Sequence, residues 1–360
     1  MTKEKVIDVL KTVIDPEVGI DIVRMGMVKN VEISGDEIKC EIALTTPACP
    51  LATEIKQNVQ KTLEENFSKE YKIEVVLTSN VRKAKETVVG AQRMINLDTI
   101  KNVKNIIGVY SCKGGVGKST LSVNLALALA KAGAKVGLLD LDLHGPNIPL
   151  MLGVVGMPKI RDNKIQPVEV FGIKTLSIGL LIDNSSPVIW RGPIQTTAVK
   201  QLFEDVNWGD LDYLILDLPP GSGDIQITLS QNIPISGIVT ISTPQLVAVI
   251  DTLKGINLFE KMGIPNLGIV INMAYYICSH CGEKNYIFPK ADLELYLKDK
   301  NIPILGEIPI DPLIAQGSDQ GKPVVSEYPE HEVSKIYQEI ASKVASSLSV
   351  RTIKRELNIK

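Results

Sequence analysis

Apolar positions along this chain follow two rhythms, and the change between them falls near residue 105. In the first stretch, Thr2–Val13 spaces its apolar residues for one face of a helix, and Leu51–Phe67 does the same over a longer run. Met27–Ile33 and Ile38–Leu44 read as paired strands around Ser34-Gly35-Asp36, and Lys72–Thr78 as a last strand. Residues 1–80 are therefore expected to form a small α+β domain. Residues 81–104 carry charge and only weak periodicity, which predicts a linker with some helix. From Asn105 onward, short apolar runs alternate with helical stretches. The runs are Ile106–Tyr110, Lys135–Leu141, Ile173–Ile178, Tyr213–Leu218, Gly237–Ser242, Leu267–Asn272 and Ile304–Ile308. Ser119–Ala132 and Gln245–Met262 are two of the intervening helices. Continuous apolar strands separated by helices predict an α/β domain over 105–360, with a mostly parallel sheet covered on both faces. Ligands of such sheets bind at the carboxyl ends of the strands.

Composition narrows the class. Of 360 residues, 44% are hydrophobic and 22% charged, the balance of a folded globular protein. The net charge of −2 gives no basic excess, so nucleic acid is not an expected partner. No apolar run has the length of a membrane span and MTKEKVIDVL does not read as a signal peptide, so no membrane partner and a cytoplasmic location are expected. Five cysteines, Cys40, Cys49, Cys112, Cys278 and Cys281, make an odd set spread over a long chain. That argues against a disulfide framework and for core thiols, reactive thiols or metal ligands. Cys40, in the middle of a strand, reads as core.

The strand Ile106–Tyr110 runs into a glycine-rich loop, Ser111–Lys118, and then a helix. Gly114, Gly115 and Gly117 let the backbone of Lys113–Thr120 (KGGVGKST) curl so that its N–H groups, Val116 included, face an anion at the helix N-terminus. Lys118 is placed to reach the β- and γ-phosphates of a nucleotide, and the Ser119 hydroxyl to ligate Mg²⁺. The strict G-x-x-x-x-G-K-[ST] pattern is not met, because Cys112 holds its first glycine position. Asp140, Asp142 and Asp217 end strands beside the loop, where carboxylates hold Mg²⁺ or orient an attacking water. The alternative is that such residues cap the next helix, which suits Asp140 and Asp224 best. Gly221 and Gly223 give the loop after Asp217 freedom to move.

The form K-G-G-x-G-K-[ST] resembles the loop of the dimeric P-loop ATPases that include MinD, ParA and the nitrogenase iron protein. The resemblance implies an ATP-binding homodimer in which Lys113 reaches the partner's nucleotide. It also implies that Asp142 positions water, that Asp217 lies on the metal side, and that Asn272 contacts adenine, with Pro309 in the same pocket.

Cys278-Ser-His-Cys281 follows a strand end, in a loop with Gly282. Its spacing points two thiolates at one ion or cluster. Two ligands are too few for a closed four-cysteine site, and a second copy of the chain across a two-fold axis can supply the other pair. A bridging [4Fe–4S] cluster and a bridging structural Zn²⁺ fit equally by ligand chemistry. A thioredoxin-like redox pair fits less well, because the motif does not open a helix after the first strand. His280 reads as a solvent-facing spacer, and Cys112 as a small residue tolerated in the loop.

Taken together, SCKGGVGKST, LLDLDLHGPNIPLMLG, VIWRGPIQTTAVKQL, WGDLDYLILDLPPGSGDIQITLSQ, STPQLVAVIDTLKGINLF and INMAYYICSHCG resemble the Mrp/ApbC-type iron–sulfur cluster carrier ATPases. WRGP, LDLPPGSGD and the following NM-x4-C-x-x-C mark that branch. DPEVGIDIVRMGMV and TTPACPLA resemble the small PaaD-like (MIP-type) domain found in iron–sulfur assembly. The resemblance implies that Cys278 and Cys281 are bridging cluster ligands, and that Lys113, Lys118, Ser119, Asp142 and Asp217 are ATPase residues. It implies apo iron–sulfur proteins and assembly factors as partners. It also matches Cys49 to the reactive cysteine of the small domain. From the residues themselves, Cys49 lies between Pro47 and Pro50 before a helix, where the dipole can lower a thiol pKa; an inert buried thiol is the alternative. Two departures stand out: Cys112 replaces a glycine, and Phe288-Pro289-Lys290 stands where relatives carry Phe-Gly. The rival functions are a MinD/ParA-type positioning ATPase and an ATPase dimer with a structural zinc. Against the first, the tail Ser349–Lys360 is basic but lacks a strong apolar face.

Overall fold

The computed structural model describes residues 1–67, 70–84, 95–181, 192–221, 224–288, 297 and 301–359. They divide into two compact units, 1–83 with 345–360, and 84–344.

In the first unit, helix α1 (Lys3–Leu10) precedes the antiparallel pair β1 (Val28–Ser34) and β2 (Glu37–Leu44). Helix α2 (Ala52–Phe67) then crosses over to β3 (Lys72–Ser79), which lies parallel to β2. Gly35, at φ +60°, makes the two-residue turn between β1 and β2. Val6 and Leu10 of α1 and Ile55, Val59, Leu63 and Phe67 of α2 are buried with Val31, Ile38, Cys40, Ile42 and Val75 of the strands. Cys40 is thus a core residue, as its mid-strand position predicts. Ile353 belongs to the same core, with Leu357 packed against it. Residues 345–360, read from the sequence as part of the ATPase domain, therefore group with the first unit. The physical reason is this apolar contact, which a short Ser- and basic-rich tail does not announce.

The second unit is built on one eight-stranded sheet. Its strands are β4 (Val103–Tyr110), β5 (Val136–Asp140), β6 (Val168–Val170), β7 (Ile173–Ser177), β8 (Leu211–Asp217), β9 (Gly237–Ser242), β10 (Asn266–Ile271) and, last in the sheet, Ile304–Glu307. The spatial order is β6-β7-β5-β8-β4-β9-β10 followed by 304–307, parallel throughout except for the antiparallel edge strand β6. Helices α3 (Lys118–Lys131), α4 (Gly192–Glu204), α5 (Asp224–Asn232) and α6 (Leu246–Lys261) connect the strands. Strands β4, β5, β8, β9 and β10 are buried almost along their whole length, as helix-covered parallel strands must be. This α/β fold agrees with the alternation in the sequence. Strand β4 begins at Val103, inside the stretch read as a linker, and the helix expected there is a single 3-10 turn, Asp98–Ile100, among the described residues. A tiny hairpin, β11 (Tyr276–Ile277) with β12 (Lys284–Asn285), follows β10. The chain ends in α7 (Pro312–Asp319) and the long α8 (Glu332–Glu356).

Candidate functional site: a nucleotide cradle and a cysteine turn

Strand β4 lies at the centre of the sheet, so the loop after Tyr110 opens at the carboxyl edge where neighbouring strands also deliver side chains. Gly115 and Gly117 adopt φ +76° and +91°, conformations open to glycine, and they turn the backbone into the start of α3. Gly117 is also fixed by contact: a Cβ there would stand 2.2 Å from Nδ2 of Asn272. That same amide donates to the Val116 carbonyl at 2.8 Å. Asn272, at the end of β10, is therefore a pillar under the glycine-rich loop.

The loop lines a cavity of about 550 Å³, within the usual range for ligand sites. Lys113, Gly114, Gly115, Gly117, Lys118, Ser119, Thr120, Asp142, Asn272 and Pro309 all border it. Val116 contributes its carbonyl to the Asn272 contact, while its side chain is buried. Asp217 lies beneath the floor, fully buried.

Sheet register sets the electrostatics. Asp217 of β8 is the direct neighbour of Asp140 of β5. Lys118 Nζ lies 2.8 Å from Asp217 and 3.5 Å from Asp142. Ser119 Oγ donates to one oxygen of Asp217 and Ser122 Oγ to the other, each at 2.6 Å. Ser122 is one helical turn beyond Lys118 and was not singled out from the sequence; its only signal there is the i+4 spacing. Burial and then the charge of Asp217 push the Asp140 carboxyl upward, against the Ser177 hydroxyl and the Asp142 amide. Asp140 accepts from Ser177 Oγ at 2.8 Å and from the amides of Asp142 and Ile148. That is a loop-anchoring arrangement; the N-cap of the short helix Ile148–Met151 is Asn147, not Asp140. Asp142 in turn accepts from the amides of His144 and Gly145 and faces the cavity. A hydroxyl beside a carboxylate is a hard oxygen donor set, so Ser119 and Asp217 fit Mg²⁺. The Gly221 amide donates to the Ser111 carbonyl at 3.0 Å, which ties the loop after β8 to the cradle. Gly223, Trp190 and Arg191 lie outside the described residues, as do Pro289 and Lys290.

The cysteine pair sits in the turn between β11 and β12. The Cys278 amide donates to the Glu283 carbonyl and the Gly282 amide to the Cys278 carbonyl, with Gly282 at φ +74°. The backbone N–H groups of Cys281 and His280, and then the Cys281 side chain, hold the Cys278 thiol below its usual pKa. Both sulfurs thus share one turn. Cys281 and His280 are exposed, His280 as its reading as a spacer predicts. Among the described residues no group of three or more His, Cys, Asp or Glu side chains could hold a metal ion. The base of the hairpin is anchored by Tyr275, whose ring lies 5.9 Å from Tyr286 and 4.5 Å beneath Lys284 Nζ.

Cys112 and Cys49 differ from this pair. Tyr110 donates its hydroxyl to Cys112 Sγ at 3.5 Å, and Cys112 packs on the main core. Burial pushes the Cys49 thiol up to about 11, outweighing the Leu51 amide that favours the thiolate, while Glu17 and Asp15 raise it further. Desolvation thus opposes the activation that the helix beginning at Ala52 would give a partly buried Cys49.

Residues 102–345 match the NUBPL iron-transfer P-loop NTPase model, and residues 3–75 the iron-sulfur cluster assembly protein model. The chain is 40% identical to the iron-sulfur cluster carrier protein of Synechocystis, over 98% of this chain and 99% of that one. A nucleotide-binding protein from Archaeoglobus fulgidus, solved with ADP, superimposes with a TM-score of 0.57 at 38% identity, over 64% of this chain and 91% of that one. The cell division ATPase MinD of Pyrococcus furiosus gives 0.50 at 25% identity, over 67% and 98%. The chain belongs to the iron–sulfur cluster carrier family of P-loop NTPases.

Proposed function

We propose that the protein is an ATP-dependent carrier that holds a [4Fe–4S] cluster between two copies of the chain and hands it to apo iron–sulfur proteins in the cytoplasm. The observation that carries this reading is the short run 272–278, which joins the two chemistries within one unit. Asn272 supports the phosphate loop through Val116. Two residues on, the Ala274 amide donates to the Ile308 carbonyl, and the Ile310 amide to the Tyr275 carbonyl at 2.7 Å. Pro309 and Ile310 border the nucleotide cavity, and Tyr276 and Ile277 open the cysteine hairpin. The cavity wall and the cysteine hairpin are thus bonded through adjacent backbone, the contact through which filling of the cavity would bias the position of Cys278.

In this reading Lys118 neutralises charge on the transferring γ-phosphoryl group, and Asp142 orients the attacking water from the cavity wall. Ser119 and Asp217 would hold Mg²⁺, which would supply neutralisation of the phosphate charge. Ser122 keeps Asp217 aimed. The loop after β8, tied to Ser111 through Gly221, is placed to respond when the γ-phosphate leaves. Cluster handover is ligand exchange without redox change. Each Fe–S bond to Cys278 or Cys281 of either copy is replaced by one to an acceptor sulfur, and the proton lost by the acceptor thiol is taken up by the departing carrier thiolate.

The tail supports a carrier over a MinD-type membrane ATPase, since Thr352 and Ile353 are buried in the first unit. Among the described residues no helix is long and apolar enough to cross a membrane. The test is anaerobic reconstitution with ferrous iron and sulfide, with Zn²⁺ competing, on wild type and the Cys278→Ser/Cys281→Ser variant. About four irons and four sulfides per dimer, lost in the variant, support the reading. Zinc without sulfide, or iron kept by the variant, points to the structural-metal ATPase instead.

A further inference from the structure

Among the described residues, the non-glycine positions with a left-handed backbone are Asp162, Asn163, Phe171, Met273, Asn301 and Asn358. Asp and Asn tolerate that conformation, and Phe171 shares the two-residue turn between β6 and β7 with Gly172. Met273, at φ +55°, is a long side chain outside any hairpin turn, and it lies on the wall of the nucleotide cavity. Its neighbours are fixed on both sides. The Asn272 amide donates to the Ser242 carbonyl at 2.8 Å, while the Asn272 side chain supports the glycine-rich loop. The Ala274 amide donates to the Ile308 carbonyl at 3.0 Å, and Ala274 and Tyr275 are buried. Tyr275 accepts from the Ile310 amide and leads directly into β11 and Cys278. A residue with a Cβ keeps a left-handed conformation only where its surroundings impose it. Here that residue joins the pillar under the phosphate loop to the base of the cysteine hairpin.

We propose that Met273 is a positioning residue whose strained backbone keeps the cysteine hairpin poised between two settings, so that nucleotide on the cavity wall selects one of them. The proposal rests on the reading that the nucleotide cradle and the cysteine turn are coupled. A left-handed backbone disfavours a residue with a Cβ by about five- to thirtyfold in population. That penalty opposes the flanking bonds and brings the left-handed and relaxed settings toward balance. A ligand shifts such a balance only by its differential contact with the two settings. Nucleotide in the cavity makes that contact, because the cavity is lined both by Met273 and by the loop that Asn272 supports. Relaxation of Met273 turns the chain at Ala274, and Tyr275 carries the turn into β11 and toward Cys278. Glycine at position 273 removes the penalty, so the left-handed setting prevails whatever the cavity holds.

The experiment reads the rate of iodoacetamide alkylation of Cys278 by peptide mass spectrometry. It uses the full chain without cluster, dilute enough to stay monomeric, under a non-hydrolysable ATP analogue, ADP and no nucleotide. Wild type, Met273→Ala, Met273→Asn and Met273→Gly are each measured at nucleotide that saturates by that variant's own calorimetric affinity. The wild-type rate is expected to differ by several fold between the analogue and ADP. M273A keeps the Cβ and loses the rest of the side chain, and should retain most of that difference. M273G should bring the rates under all three conditions within about twofold of one another, and M273N should fall between. A side chain that merely packs would rank the variants by size and group alanine with glycine. M273G with the wild-type dependence, M273A as flat as M273G, or M273G unable to bind nucleotide overturns the proposal while leaving the coupling reading intact. A wild type whose Cys278 reacts at one rate under all three conditions overturns coupling within the chain and the proposal with it.

Discussion

Lys118 and Ser122 share one carboxylate, and the consequences of losing either differ in kind. Without the lysine, Asp217, Asp142 and the neighbouring Asp140 lose the ammonium that stands between them, at 2.8 Å and 3.5 Å from the first two. Breaking such a buried pair costs about 3 kcal/mol, so Lys118→Ala is expected to lower stability in urea unfolding by that order and to abolish hydrolysis. Ser122→Ala leaves Asp217 Oδ1 without its donor, a loss of about 1–3 kcal/mol, and should slow hydrolysis with little change in ATP affinity. The thiols make a separate prediction. Cys278, held below its usual pKa, should be alkylated first at pH 7–8, while Cys49, raised to about 11, stays a thiol until pH rises toward that value. Peptide mass spectrometry after timed iodoacetamide treatment reads the order, and rapid labelling of Cys49 would contradict it. Lys118, Ser119 and the cysteine pair were legible in sequence because their chemistry rests on local spacing. Ser122 was not, because it acts through the strand end its helix packs against, and spacing alone does not name that partner.

At the scale of elements, the glycine-rich loop and β10 form one device. Gly117→Ala demands a Cβ where Asn272 Nδ2 stands and a left-handed backbone at φ +91°. Left-handed backbone alone costs about 1–2 kcal/mol, so with the clash nucleotide binding should weaken by about tenfold or more by calorimetry. Asn272→Ala added to G117A relieves the clash and leaves the backbone strain, so the double variant should recover only part of the loss. Most strands of the large sheet were visible in the sequence as apolar runs, since a strand buried on both faces has nowhere to put polar residues. The edge strand β6 and the hairpin that carries the cysteines were not, because two or three residues are too few to display a period. Helix α8 shows another limit. Its buried positions include Val333, Ser334, Tyr337, Ile340, Ala341, Val344, Ala345, Ser346, Leu348, Thr352 and Ile353, and several are Ser, Ala or Thr, which an apolar pattern does not mark.

For the molecule as a whole, the discontinuous first unit carries its own expectation. Ile353 is fully buried in that unit's core, and truncating such a side chain costs about 2–5 kcal/mol. Ile353→Ala, or deletion of 345–360, should therefore cut hydrogen-exchange protection in β2 and α2 while β4 and β8 keep theirs. Equal loss in both units would contradict the division. The central claim, however, is that the nucleotide cradle and the cysteine turn act on each other. The most direct measurement is the rate of cluster transfer from the reconstituted full chain to an apo-ferredoxin, followed by circular dichroism under ATP, ADP and no nucleotide, for wild type and Lys118→Ala. The account predicts that the wild-type rate differs between ATP and ADP by at least several fold, and that the difference disappears in K118A while the cluster remains bound. Equal rates under all three conditions in the wild type would contradict it.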